Sequence, residues 1–100
     1  MRFIIKNETN ENLTTLTRKI GYVFQRQDEL TGQSSIIRAF GRGGYPRFHI
    51  YLKIENENII FNLHLDQKKP IYKGTSAHSG EYDGRIVEQE TQRIKQILQK

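Results

Sequence analysis

Residues 47–66 constrain the fold more than any other stretch of this chain. Phe48, Ile50, Leu52 and Ile54 alternate with Arg47, His49, Tyr51, Lys53 and Glu55, and Ile59, Phe61, Leu63 and Leu65 then alternate with Ile60, Asn62, His64 and Asp66. A strand sends successive side chains to opposite faces, so this pattern predicts two half-buried strands joined through Glu55-Asn56-Glu57-Asn58. A turn at Asn56-Glu57, or a loop of all four residues, sets Ile54 opposite Ile59, Leu52 opposite Phe61, Ile50 opposite Leu63 and Phe48 opposite Leu65. Every apolar residue then meets an apolar one. A slip by one residue would bring Phe48 against His64 and bury polar groups, so the register is specified. It also fixes the other face, with Arg47 opposite Asp66, His49 opposite His64, Tyr51 opposite Asn62 and Lys53 opposite Ile60.

The remaining segments supply partners for the apolar face. Residues 2–6 are a short β-prone run, and the polar residues 7–12 offer helix N-caps. Leu13, Leu16 and Ile20 follow at helical spacing, and Gly21 is a stop signal. Residues 21–27 and 35–40 read as strands separated by turn chemistry around Thr31-Gly32. The 41–46 loop holds three glycines and a proline, which oppose regular structure. A last helix is expected over residues 83–98, with Ile86, Val87, Ile94, Ile97 and Leu98 on one side and Asp83 or Ser79 as capping candidates. The order β-α-β-β-β-β-α predicts an α+β class: an antiparallel sheet of four to five strands with two helices packed on one face and the other face open. The first strand can sit at either edge. Residues 1–100 are expected to form a single domain, since this length suits one modest core.

Charge narrows the partner. Sixteen Lys and Arg against eleven Asp and Glu leave a net charge of +5, which favours a polyanion through counterion release. There is no cysteine, so disulfides and thiolate metal sites are excluded, and the cytoplasm is the expected compartment. No apolar run is long enough for a signal sequence or a membrane span, so no membrane partner is expected.

Basic and aromatic residues interleave in the strand-and-loop half. Arg38, Arg42, Arg47, Lys53, Lys68, Lys69 and Lys73, with Tyr45, Tyr51 and Tyr72, are of the types that anchor phosphates and stack on unpaired bases. The glycine loop lets backbone N–H groups approach a phosphate, although it matches neither a P-loop nor a dinucleotide motif, and no cofactor is expected. His49 and His64, opposed across the hairpin, are candidates for general base and acid in RNA cleavage. With Asp66 and the His78, Glu81 and Asp83 segment they would supply ligand types that zinc, nickel or manganese accept. No spacing matches a zinc motif, so no metal is expected.

The run Leu16-Thr17-Arg18-Lys19-Ile20-Gly21-Tyr22-Val23-Phe24-Gln25-Arg26-Gln27, with strands after it and a terminal helix ending Ile94-Lys95-Gln96-Ile97-Leu98, resembles the layout of HicA-type messenger-RNA interferase toxins. The resemblance implies a double-stranded-RNA-binding-domain-like fold over roughly residues 12–98. That family places its catalytic histidine in a Gly-Ser-His string, whereas this chain reads Pro46-Arg47-Phe48-His49. The strings Tyr45-Pro46-Arg47-Phe48-His49 and His78-Ser79-Gly80-Glu81-Tyr82-Asp83 are similar to those of small uncharacterised bacterial proteins, which implies nothing about mechanism. Three functions stay open: a nucleic-acid-binding domain, RNA first, using the open face and the glycine loop; a small ribonuclease using His49 and His64; or a protein-interaction module, including a homo-oligomer, using the strand at residues 2–6.

Overall fold

The computed structural model describes residues 1–67, 80–81 and 84–99. In chain order the elements are β1 (Arg2–Lys6), α1 (Leu13–Lys19), β2 (Val23–Gln27), β3 (Ser34–Ala39), a single 3-10 turn (Arg42–Gly44), β4 (Arg47–Glu55), β5 (Asn58–Asp66), the two-residue β6 (Gly80–Glu81) and α2 (Arg85–Leu98). Four long strands separate the helices, one more than the α-β-β-β-α layout has.

The central hairpin forms in the register that its alternation dictates. Phe48 pairs with Leu65, Ile50 with Leu63, Leu52 with Phe61 and Ile54 with Ile59, around a two-residue turn in which Asn56 takes φ 57°. Asparagine tolerates that left-handed backbone better than most residues. Antiparallel pairing then builds the order β1-β5-β4-β3-β2, with β6 added to β5 beyond the end of β1. Strand β1 sits on the β5 edge because Phe3 and Ile5 face Phe61 and Ile59, and the Phe3 and Phe61 rings stack at 4.6 Å. At the opposite edge, β2 carries a bulge between Phe24 and Arg26 that leaves Gln25 and Arg26 together opposite Ser35.

Both helices cover one face. Leu16 and Ile20 of the α1 segment and Val87 and Ile94 of α2 bury against Ile36, Ile50, Phe61 and Leu63 in one core. Asn12 caps α1 by accepting from the Thr15 N–H at 2.9 Å. Its far end closes through Gly21 at φ 80°, with the Gly21 and Tyr22 N–H groups donating to the Arg18 and Thr17 carbonyls. That is a Schellman ending, and it needs the left-handed residue that glycine supplies. Helix α2 starts two residues later than expected, at Arg85, with Gly84 at the cap position and no side-chain cap bond. The caps proposed at Ser79 and Asp83 fall outside the described residues.

One buried polar node ties these layers together. Glu90 of α2 accepts from the Tyr22 hydroxyl at 2.7 Å, from Arg93 Nε and one Arg93 terminal nitrogen at 2.8 Å each, and from Arg38 at 3.4 Å. Arg93 also donates to the Ile20 carbonyl at the end of α1. Burial and the facing carboxylate push the Tyr22 phenol far above its usual range, so it remains a donor.

In the 41–46 loop Gly41 is sterically confined. A Cβ at Gly41 would run into the Tyr45 carbonyl oxygen and the Pro46 ring, both of which close the loop over it. Gly41→Ala is expected to destabilise the domain by about 1–3 kcal/mol through overpacking. Gly43→Ala meets open space and suffers only its left-handed φ of 73°. Urea denaturation of the two variants checks this: equal losses would show that sterics at Gly41 do not set the loop.

Candidate nucleic-acid interface and its histidine cluster

The face away from the helices is mostly polar, with Ile4, Ile60, Ile37 and Val23 as its apolar members, and its residues lie in rows set by the pairing. One row crosses all five long strands: Arg2, Asn62, Tyr51, Ser35 and Arg26. Four strand spacings separate its ends, so Arg2 and Arg26 stand roughly 19 Å apart at about 4.8 Å per strand. Lys53, Arg47 and Lys6 lie on the same face. Among the described residues, the strands place Arg2, Lys6, Arg26, Arg47 and Lys53 there against Glu55 and Asp66. Lys53 pairs with Glu55 at 3.3 Å and Arg47 with Asp66 at 3.2 Å, while Arg2, Lys6 and Arg26 form no ion pair among the described residues.

The adjacent row holds the histidines. His49 and His64 pair across β4 and β5 with ring centroids 4.7 Å apart, and the Tyr51 ring lies 4.6 Å from His49 and 6.0 Å from His64. Both histidines are buried, at 7% and 9% exposure. Asp66, two residues beyond His64 on the same face, serves both: His64 Nε2 lies 3.0 Å from Oδ1 and His49 Nδ1 lies 3.4 Å from Oδ2. On its far side, His49 Nε2 meets Ser35 Oγ at 2.5 Å, and that hydroxyl donates to Gln25 Oε1 at 2.8 Å. The bulge in β2 is what brings Gln25 within reach. A continuous polar chain thus runs Gln25–Ser35–His49–Asp66, with His64 and Arg47 on the same carboxylate.

Burial dominates the electrostatics of this cluster. It lowers His49 from 6.5 to about 4, aided by the neighbouring His64 and opposed by Asp66. It lowers His64 too, against the pull of Asp66. Both imidazoles are neutral at pH 7. An unfolded chain would therefore take up a proton at His49 that the folded chain refuses, so the contribution of His49 to stability is complete above pH 6.5. It is lost as pH falls toward 4. At about 1.4 kcal/mol per unit, this group accounts for no more than about 3–4 kcal/mol. Urea midpoints are expected to drop across that window and to drop less in His49→Gln; a wild-type midpoint flat from pH 7 to 4 would contradict the burial.

The expected site residues do not all come together. Tyr51, Lys53, Arg47, His49 and His64 come together on the open face. Arg42 is exposed in the 3-10 turn, and Tyr45 beside it holds the Arg47 guanidinium 4.5 Å above its ring. Arg38 does not join them: it shares the helix-covered face with Ile36, two residues away, and reaches Glu90. Lys68, Lys69 and Lys73, with Tyr72 and His78, lie outside the described residues. Arg2, Arg26, Gln25 and Ser35 were not among the expected residues. Arg2 and Arg26 lie on the two edge strands, and only the pairing of those strands aligns them with Tyr51.

A cleft of about 380 Å³ adjoins the row, lined by Tyr51, Ser35, Arg26 and Gln33 together with Gln27, Asp28 and Glu29. Its size suits a nucleobase-sized group, with an aromatic ring and both hydrogen-bonding signs in its wall. Among the described residues, no helix is long and apolar enough to cross a membrane. No family model matches the chain, and no curated protein or solved structure matches it.

Proposed function

We propose that the open sheet face binds nucleic acid, single-stranded RNA first. The observation that carries this is the row Arg2–Asn62–Tyr51–Ser35–Arg26, a track with a cation at each end, an amide and an aromatic ring between them, and a cleft beside the ring. Unpaired bases can stack on tyrosine while arginines hold the phosphates, and a strand laid across the sheet would meet both. The excess of cations on this face supports the same reading. A labelled oligoribonucleotide is expected to bind at low salt, with a log–log salt slope of about −2 to −3 for three or four phosphate contacts. Undetectable binding at low salt, or affinity indifferent to salt, would remove the proposal.

A second reading, a ribonuclease centred on His49 and His64, is favoured by the hydrogen bond between Ser35 and His49 Nε2, which fixes the imidazole with Nδ1 facing Asp66 at 3.4 Å. Neutral imidazoles supply a general base but leave the acid to another group. If this reading holds, purified protein degrades RNA and His49→Ala abolishes cleavage while the fold persists. An intact probe after prolonged incubation leaves binding alone.

A further inference from the structure

The His49–His64–Asp66 cluster has a geometry that neither RNA binding nor acid–base chemistry requires. Three potential ligand atoms, one from each residue, lie within 4.8 Å of one another on two adjacent strands at the centre of the sheet. Metal–nitrogen and metal–oxygen bonds of about 2.0–2.1 Å place neighbouring ligands roughly 3.0–3.4 Å apart in tetrahedral or octahedral sites. The nitrogen–oxygen distances here are 3.0 Å from His64 Nε2 to Asp66 Oδ1 and 3.4 Å from His49 Nδ1 to Asp66 Oδ2, one to each oxygen of the carboxylate. The longer one is poor for a hydrogen bond to a carboxylate, for which about 2.7–2.9 Å is usual. It is the right length for two ligands sharing an ion.

We propose that His49 Nδ1, His64 Nε2 and the Asp66 carboxylate bind a divalent transition-metal cation of the zinc, iron or nickel class. The ligand set decides the class, because two imidazoles and one carboxylate suit these ions, while magnesium and calcium take oxygen ligands almost exclusively. The surroundings already perform the orienting that such sites need. Ser35, itself held by Gln25, engages His49 Nε2 and so aims Nδ1 inward, and Arg47 engages Asp66 through Oδ2. Arg47 is also the cation that an incoming ion must displace or share with. Its guanidinium rests over the Tyr45 ring, which stabilises it when it yields part of the carboxylate. Three protein ligands leave at least one coordination position for water or a phosphate oxygen.

The test is a titration of the full chain, purified with a chelator and exchanged into chelator-free buffer, with Zn²⁺ by calorimetry and Co²⁺ by visible absorption. One equivalent is expected to bind, with Co²⁺ giving d–d bands, and Mg²⁺ in large excess is expected not to compete. His64→Ala and Asp66→Ala are expected to weaken binding at least 100-fold and Ser35→Ala roughly 10-fold, whereas Arg85→Ala on α2 leaves it unchanged. Should the ligand variants fail to fold, the wild-type imidazole ¹⁵N spectrum decides instead. Zn²⁺ is expected to shift His49 Nδ1 and His64 Nε2. Failure to take up one equivalent, competition by Mg²⁺, or shifts confined to His78, the third histidine, would overturn the proposal. RNA binding and metal binding can fail separately, because they are read on different probes.

Discussion

Glu90→Ala is expected to destabilise the domain by about 3 kcal/mol, the lower part of the range for breaking a buried ion pair. The carboxylate is 3% exposed and is the shared acceptor of Tyr22, Arg38 and Arg93. Its removal leaves a buried phenol without its acceptor and two guanidinium groups without their counter-charge. Both arginines keep about a third of their side chain in solvent, and this is why the loss should sit at the lower end. With a urea slope of about 1–2 kcal/mol/M for a chain of this size, the midpoint falls by roughly 1.5–3 M. Tyr22→Phe should cost only about 1 kcal/mol, since Glu90 keeps both arginines. A Glu90→Ala loss below 1 kcal/mol would mean that the node is ornamental and that the apolar core alone fixes the helices.

Reversing three charges on the open face, Arg2→Glu, Arg26→Glu and Lys53→Glu together, is expected to weaken binding of a single-stranded oligoribonucleotide by about 10²- to 10³-fold at low salt and to flatten the salt slope by about 2. All three residues lie on the face away from the core and take no part in it, so the fold should survive. The control reverses three charges on the other side of the molecule, at Arg18 of α1 and at Arg85 and Lys95 of α2. That variant has the same net charge, and its affinity is expected to change much less. Equal losses from both variants would reduce the interaction to bulk charge and leave the sheet face with no special part in it.

Much of the fold was legible because one face of a hairpin must be apolar. The alternation in residues 47–66 left a single register that did not bury histidine against phenylalanine, and all eight cross-strand pairs read from it are present. The helix ending at Gly21 was equally legible, since its left-handed stop has a direct sequence signal. The site was legible only within that hairpin. Arg47 with Asp66 and His49 with His64 follow from its register, whereas Ser35 reaches His49 through the β3–β4 pairing, which joins strands across a seven-residue connection with no register signal of its own. Gln25 depends further on a bulge, and nothing in Phe24-Gln25-Arg26 announces one. Arg38 shows the opposite error. As a basic residue on a strand it looked like a phosphate contact, but its spacing from Ile36 puts it on the helix-covered face, where Glu90 meets it.

RNA laid along the row from Arg2 to Arg26 is read from the backbone amide shifts of the ¹⁵N-labelled chain, titrated with a short single-stranded oligoribonucleotide at low salt. The largest changes are expected at Asn62, Tyr51, Ser35 and Arg26, with α2 unmoved. Changes gathered on α2, or a spectrum that does not respond to RNA, would contradict it.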